Sequence, residues 1–128
     1  MQTAQAGSGE IERDRWSEFL DDFSKRNRNR PTRLEIADQE IGSQEVEEFF
    51  PLVGVSFEGK GSAAGSVVII LGNGSLDDLR QMEHTVSNTK RIVPIIGTRG
   101  FEDGLGFESE DGARTLLLFE ELPELPPQ

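Results

Sequence analysis

Trp16, Phe19, Leu20 and Phe23 recur at i, i+3, i+4 and i+7, the spacing that lines one face of an α-helix. With Glu12 as the cap, Ile11 and Trp16 take the N′ and N4 positions of a hydrophobic staple, which fixes how the chain enters that helix. Lys25 and Arg26 face the negative end of the helix dipole, and Asn27, Asn29 and Pro31 end the helix. Past Pro31 the period drops to two. Thr32 to Ala37 reads as a strand with Leu34 and Ile36 on one face, and Val53, Val55 and Phe57 alternate with Gly54, Ser56 and Glu58. Residues 38 to 52, which mix Ile41, Val46, Phe49 and Phe50 with carboxylates, read as a strand with a bulge. Val67 to Leu71 is apolar on both faces, as a central strand beneath the helix would be. GKGSAAGS before it is a hairpin connection, and GNGSLDDL after it a loop or short helical turn. Met82, His84 and Val86 share one face of a further strand. Arg91 to Ile96 forms another, whose Pro94 has no N–H for the ladder and therefore belongs at an edge or bulge. Leu105 to Glu110 and Ala113 to Glu120 flank Asp111-Gly112, a pair that predicts a two-residue type I′ hairpin turn.

A chain of 128 residues with one shared apolar inventory and no internal repeat implies one domain. Residues 1–10 are small and polar and predict a disordered start; residues 11–120 form a single α+β domain; residues 121–128 make a Pro-rich extended tail. The expected architecture is an N-terminal helix packed on a strongly curved, mainly antiparallel sheet or small barrel. Sm-like and SH3-like barrels share that order, as an analogy of topology that carries no function. The chain has no cysteine, which excludes disulfides, thiolate metal sites and cysteine nucleophiles and fits a cytoplasmic location. Its longest apolar run, Val67 to Leu71, is far short of the roughly 20 residues a spanning helix needs, so no membrane partner is expected.

Charge is segregated. Residues 13–33 hold seven cations against four carboxylates, whereas the chain as a whole carries a net charge of −11. Such a distribution steers and orients partners. The cluster Lys25, Arg26, Arg28, Arg30 and Arg33 is the leading binding candidate, because arginine forks suit carboxylates and phosphates; the competing reading is a helix cap with internal pairing. Phe49 and Phe50, set among acids, are a candidate apolar anchor for protein docking. Nucleic acid is disfavoured by the overall acidity and the absence of tyrosine for stacking.

His84 is the lone histidine and the one group suited to acid/base work at neutral pH. Its parity with Met82 and Val86 points it toward the apolar side, where a structural imidazole is the ordinary outcome. No G-x-S-x-G elbow, Walker lysine or EF-hand spacing accompanies it, so neither a catalytic set nor a cofactor is expected. Asp77 and Asp78 read as the start of a capped turn, and the remaining carboxylates as solvated surface.

The helix Trp16, Phe19, Leu20, Asp21, Phe23, Ser24 is followed in order by Leu34-Glu35-Ile36, Ile41-Gly42, Pro51 to Ser56, Leu71-Gly72, His84-Thr85-Val86, Asp111-Gly112, Thr115-Leu116-Leu117 and Phe119. In that order the chain resembles an uncharacterised bacterial family of small proteins known only as a domain of unknown function. The resemblance spans residues 11 to 119 and implies a compact bacterial domain with no assigned reaction, cofactor or ligand. It departs at Asn88-Thr89, where proline is expected, and in the Pro-rich tail, both of which bear on loop geometry. The leading expectation is a non-catalytic cytoplasmic protein-interaction or regulatory module. The alternatives are a small-molecule binder or weak hydrolase centred on His84, and an acidic decoy of a nucleic-acid-binding protein.

Overall fold

In the computed structural model the chain is described over residues 9–38, 42–45, 49–59, 65–72, 81–97 and 100–120, with the backbone alone at 42–45 and 81. The expected tails at 1–8 and 121–128, the loop at 73–79, and Ile41 and Val46 lie outside the described residues. Glu12 is extended (φ −63°, ψ 140°) and caps a 3-10 turn, Arg13–Arg15, that runs directly into helix α1, Trp16–Arg26. Because α1 itself begins at Trp16 with Arg15 as its cap, Ile11 and Trp16 are linked by a hydrogen bond and not at the N′ and N4 positions of that helix. Ile11 packs against the core while the indole Nε1–H of Trp16 donates to the Ile11 carbonyl at 2.9 Å. Trp16, Leu20 and Phe23 are buried, as their helical spacing requires.

Among the described residues eight strands follow: β1 (Pro31–Asp38), β2 (Gly42–Glu45), β3 (Phe50–Glu58), β4 (Ser66–Gly72), β5 (Gln81–Val86), β6 (Thr89–Ile96), β7 (Glu102–Ser109) and β8 (Arg114–Phe119). Seven of them form an antiparallel sheet in the order β5-β4-β3-β1-β8-β7-β6, with β2 paired to β1 off this path. The barrel alternative is not adopted; the sheet stays open. Yet β5 and β6, at its opposite edges, are joined by Ser87 and Asn88 alone. The sheet must therefore curl until its two edges meet at that turn, where Asn88 takes a left-handed φ of 49° and the Thr89 hydroxyl donates to the Val86 carbonyl at 2.8 Å. Pro94 lies on edge strand β6, where its missing donor is tolerated.

Of the bulged strand expected over residues 38–52, the described parts are β2 and the start of β3, both antiparallel to β1, with Glu45 opposite Glu35 and Phe50 opposite Thr32; residues 39–41 and 46–48 lie outside the described residues. Three local expectations are corrected. A bulge between Leu52 and Gly54 turns Val53 outward, 37 % exposed, while Leu52 and Val55 face the core. The Asp111-Gly112 hairpin uses a three-residue loop rather than type I′. Only Gly112 has positive φ (92°), and the Asp111 carboxylate is spent accepting the Ala113 N–H at 3.0 Å. Finally, α1 packs chiefly on β3 instead of β4. Ser24 Oγ accepts the Val55 N–H at 2.8 Å and lies 3.0 Å from the Val55 carbonyl. The helix thus satisfies the edge that β3 exposes once it has parted from β1.

One core results. Trp16, Leu20 and Phe23 join Leu34, Leu52, Val55, Val67, Ile69, Leu71, Val86, Ile92, Leu105, Phe107, Leu117 and Phe119.

Candidate functional site

The segment that leaves α1 is stitched to β3 and β7, and the start of β1 to the chain leaving β8. The Asn29 N–H donates to the Leu52 carbonyl (2.8 Å), the Leu52 N–H to the Arg30 carbonyl (3.0 Å), and the Glu120 N–H to the Pro31 carbonyl (2.9 Å). Arg30 Nη1 reaches the Glu102 carbonyl at 2.9 Å. The helix end and the starts of β1, β3 and β7 therefore form one pole of the molecule, together with the β6–β7 hairpin loop. This pole gathers Lys25, Arg26, Arg28, Arg30, Phe49 and Phe50. Arg33 leaves it, since it pairs with Glu35 at 3.6 Å.

Two of the four gathered cations, Arg26 and Arg30, have structural duties. Arg26 forms a two-point fork on Glu102, Nε to Oε1 at 3.0 Å and Nη2 to Oε2 at 2.9 Å. Asn27 Nδ2 adds a third donor at 3.1 Å. Arg30 stacks 4.0 Å over the Phe119 ring and bonds Asn27 Oδ1 at 3.0 Å. Lys25 meets Asp21 at 3.2 Å with both side chains about two-thirds exposed, a pair of little energetic weight. Arg28 is exposed and, among the described residues, engages no hydrogen bond or ion pair. Phe50 is half-buried against the core and Phe49 is 38 % exposed.

Two groups at this pole escape a reading by periodicity. Ile96 (56 % exposed) and Phe101 (66 %) carry the largest exposure of the described large apolar side chains. They flank a hairpin loop closed by the Gly97 N–H on the Phe101 carbonyl at 2.9 Å. The signal was the placement of Ile and Phe beside glycines in a turn. Glu102, one of the carboxylates read as solvated surface, is the node that ties this hairpin to α1. Bonding from Arg26 holds its carboxyl below the usual carboxylate range against the opposing effect of burial.

Because that folded-state pKa is depressed, the stabilisation is present above the unfolded glutamate pKa and is lost as pH falls through the folded value. Glu102→Gln is expected to unfold more easily at neutral pH by about 1–2 kcal/mol, discounted for the half-exposed Arg26. The gap from the parent should close in acid below the ordinary carboxylate range. Urea titrations of both proteins from neutral to acidic pH test this, and a gap that does not change with pH would refute it.

His84 lies opposite Ile69 on edge strand β5, half-buried and facing the core side as its parity requires. Burial lowers its pKa. Among the described residues it has no hydrogen-bond or ion-pair partner, so no acid/base pair is assembled around it. An open groove of about 410 Å³ runs between residues 10–12 and the exposed side of α1. Its floor is Ile11 and Phe19, and its rim carries Glu10, Glu12, Glu18 and Asp22 with Arg15 and Arg26. No group of three or more His, Asp or Glu side chains fit to hold a metal occurs among the described residues. None of their helices is long and apolar enough to cross a membrane.

No solved structure matches the chain. An uncharacterised protein of Aquifex aeolicus (strain VF5) is 36 % identical over 50 residues, which cover 39 % of this chain and 45 % of that protein. The ordered strand patterns that suggested a bacterial domain without assigned function agree with a wider match: the model of the family of unknown function DUF5335 fits residues 8–128, and the chain belongs to that family.

Proposed function

We propose that the protein is a non-catalytic interaction module of the cytoplasm that docks a partner protein through the pole at the end of α1. The observation that carries this reading is the pairing of Phe101 and Ile96, both more than half exposed, on a hairpin held against α1 by the Arg26–Glu102 fork. Exposed aromatic and aliphatic anchors on a rigid mount are what a partner's pocket can bury at small entropic cost. Arg28 and Lys25 beside them, with Phe49, favour a partner surface that is acidic around an apolar pocket. Arg26 and Arg30 act as the mount and not as the contact.

The test is quantitative capture from extract on immobilised protein, competed with free protein. A specific partner should saturate, and capture should fall at least about tenfold for the double variant Ile96→Asp/Phe101→Asp, the loss of a buried anchor. Arg28→Glu should reduce it several-fold in low salt and much less in high salt. Both variants should keep the parental melting temperature within a few degrees, since none of the three side chains is in the core. Capture indifferent to both changes refutes the proposal. The hydrolase and decoy readings have less support, because His84 has no assembled partner among the described residues and Glu10, Asp21, Glu35, Glu102 and Glu108 are already ion-paired within the chain.

A further inference from the structure

The face of β6, β7, β8 and β1 turned away from α1 has a pattern that the docking pole does not use. Register places Val93, Gly106, Leu116 and Glu35 in one cross-strand row, and Ile95, Gly104, Leu118 and Arg33 in the next. Alternation sends the side chains of Val93, Ile95, Leu116, Leu118, Glu35 and Arg33 outward, because their neighbours Ile92, Leu105, Phe107, Leu117 and Leu34 are in the core. Gly104 and Gly106 on β7 place no side chain between the aliphatic residues of β6 and β8. Leu116 is 36 % exposed, and no described element packs over it. The row beyond is sealed by ions, with Glu108 between Arg91 (3.4 Å) and Arg114 (3.5 Å).

We propose that this face takes a second copy of this chain. The argument is self-complementarity. A two-fold axis lying in the face, at right angles to the strands and midway between the two rows, exchanges one row for the other. It sets Arg33 against Glu35 of the second copy and Glu35 against its Arg33. The same operation sets Leu116 against Leu118, Val93 against Ile95, and glycine against glycine, so no like charges meet and no bulky pair collides. Within one copy Arg33 and Glu35 touch only at 3.6 Å, which leaves both free to share a second partner. Sheets stacked this way pack about 10 Å apart with aliphatic side chains between them. Four strands and two apolar rows are a small patch, so the dimer is weak and forms at high protein concentration.

Sedimentation equilibrium of the full chain, up to about 1 mM at low salt, reads the association directly. A monomer–dimer equilibrium is expected, weakened about tenfold or more by Arg33→Glu, which places like charges across the axis. The double reversal Arg33→Glu/Glu35→Arg should bring the dimer back to within about threefold of the parent, because both copies reverse together. A partner of fixed charge would not be regained by that double reversal. Leu116→Asp should abolish the dimer; should it fail to fold, Leu116→Gln serves in its place. A parent that stays monomeric throughout, or a double reversal as defective as the single one, overturns the proposal. Neither result bears on the pole, which lies at the end of the sheet and is tested by capture.

Discussion

Gly104→Ala is expected to destabilise the fold by on the order of 3 kcal/mol or more, a large share of the roughly 5–15 kcal/mol that holds a domain of this kind together. Gly104 has φ +159°, and a Cβ built there runs into the Leu117 carbonyl oxygen of the neighbouring strand, with Leu118 Cα at 3.2 Å. The obstacle is backbone in the β7–β8 ladder, so no side chain can swing aside to make room. Either the ladder opens or the strand shifts register, and a one-residue shift would send Leu105 and Phe107 to the solvent side. Gly106→Ala is the internal control. The added methyl there meets Leu116 Cδ2 at 3.4 Å and the Val93 carbonyl at 3.7 Å, ordinary contact distances, so the change should stay within about 1 kcal/mol. Urea unfolding followed by far-UV circular dichroism separates the two. A Gly104→Ala protein as stable as the parent would show that β7 does not run so close to β8.

Trp16→Ala is expected to cost about 3–5 kcal/mol. The indole is 1 % exposed, packs edge-on to Phe57 with ring centroids 5.2 Å apart, and lies under the Arg13 guanidinium at 4.9 Å. It also holds the Ile11 carbonyl, while the Ile11 N–H donates to the Ile92 carbonyl on edge strand β6 at 2.9 Å. Its loss therefore opens a cavity and frees the segment that covers that edge. Trp16→Phe keeps most of the volume and removes the hydrogen bond, and should cost roughly 1–2 kcal/mol. Amide exchange at Ile11 distinguishes the two effects: it should accelerate in both variants, and more in Trp16→Ala. Since Trp16 is the lone tryptophan, stability must be followed by circular dichroism. Unchanged exchange at Ile11 in both variants would contradict the role assigned to the indole.

What could be read in advance was local. The helical face of Trp16, Leu20 and Phe23, the inward parity of Leu34, the edge position of Pro94 and the β7–β8 hairpin all follow from side-chain direction over a few residues, which the backbone geometry sets by itself. Errors entered where one residue upset a count. The bulge at Val53 shifts the alternation of β3, and the loop at Asp111 uses a single left-handed glycine where two such residues were expected.

The cationic cluster was legible as a cluster, but its division of labour was not. Arg26 and Arg30 find Glu102 at separations of 76 and 72 residues, Arg33 finds Glu35 two residues on, and Arg28 finds no one among the described residues. Nothing in the composition of residues 25–33 distinguishes those outcomes. The glycines beside Ile96 and Phe101 were a signal for a turn, but a turn pattern does not tell whether an apolar side chain joins the core or faces solvent.

The amino-acid order by itself determined that there would be one helix with a single apolar face, a succession of short strands, one hydrophobic inventory and a basic stretch in an acidic chain. Periodicity and charge are properties of neighbours. Only the tertiary structure decided that β1 would stand between β3 and β8, that β5 and β6 would part to opposite edges across a two-residue turn, and which cations would be consumed. Those choices depend on closing loops and matching surfaces across the whole chain. Their free energy resides in long-range pairings that no local window contains.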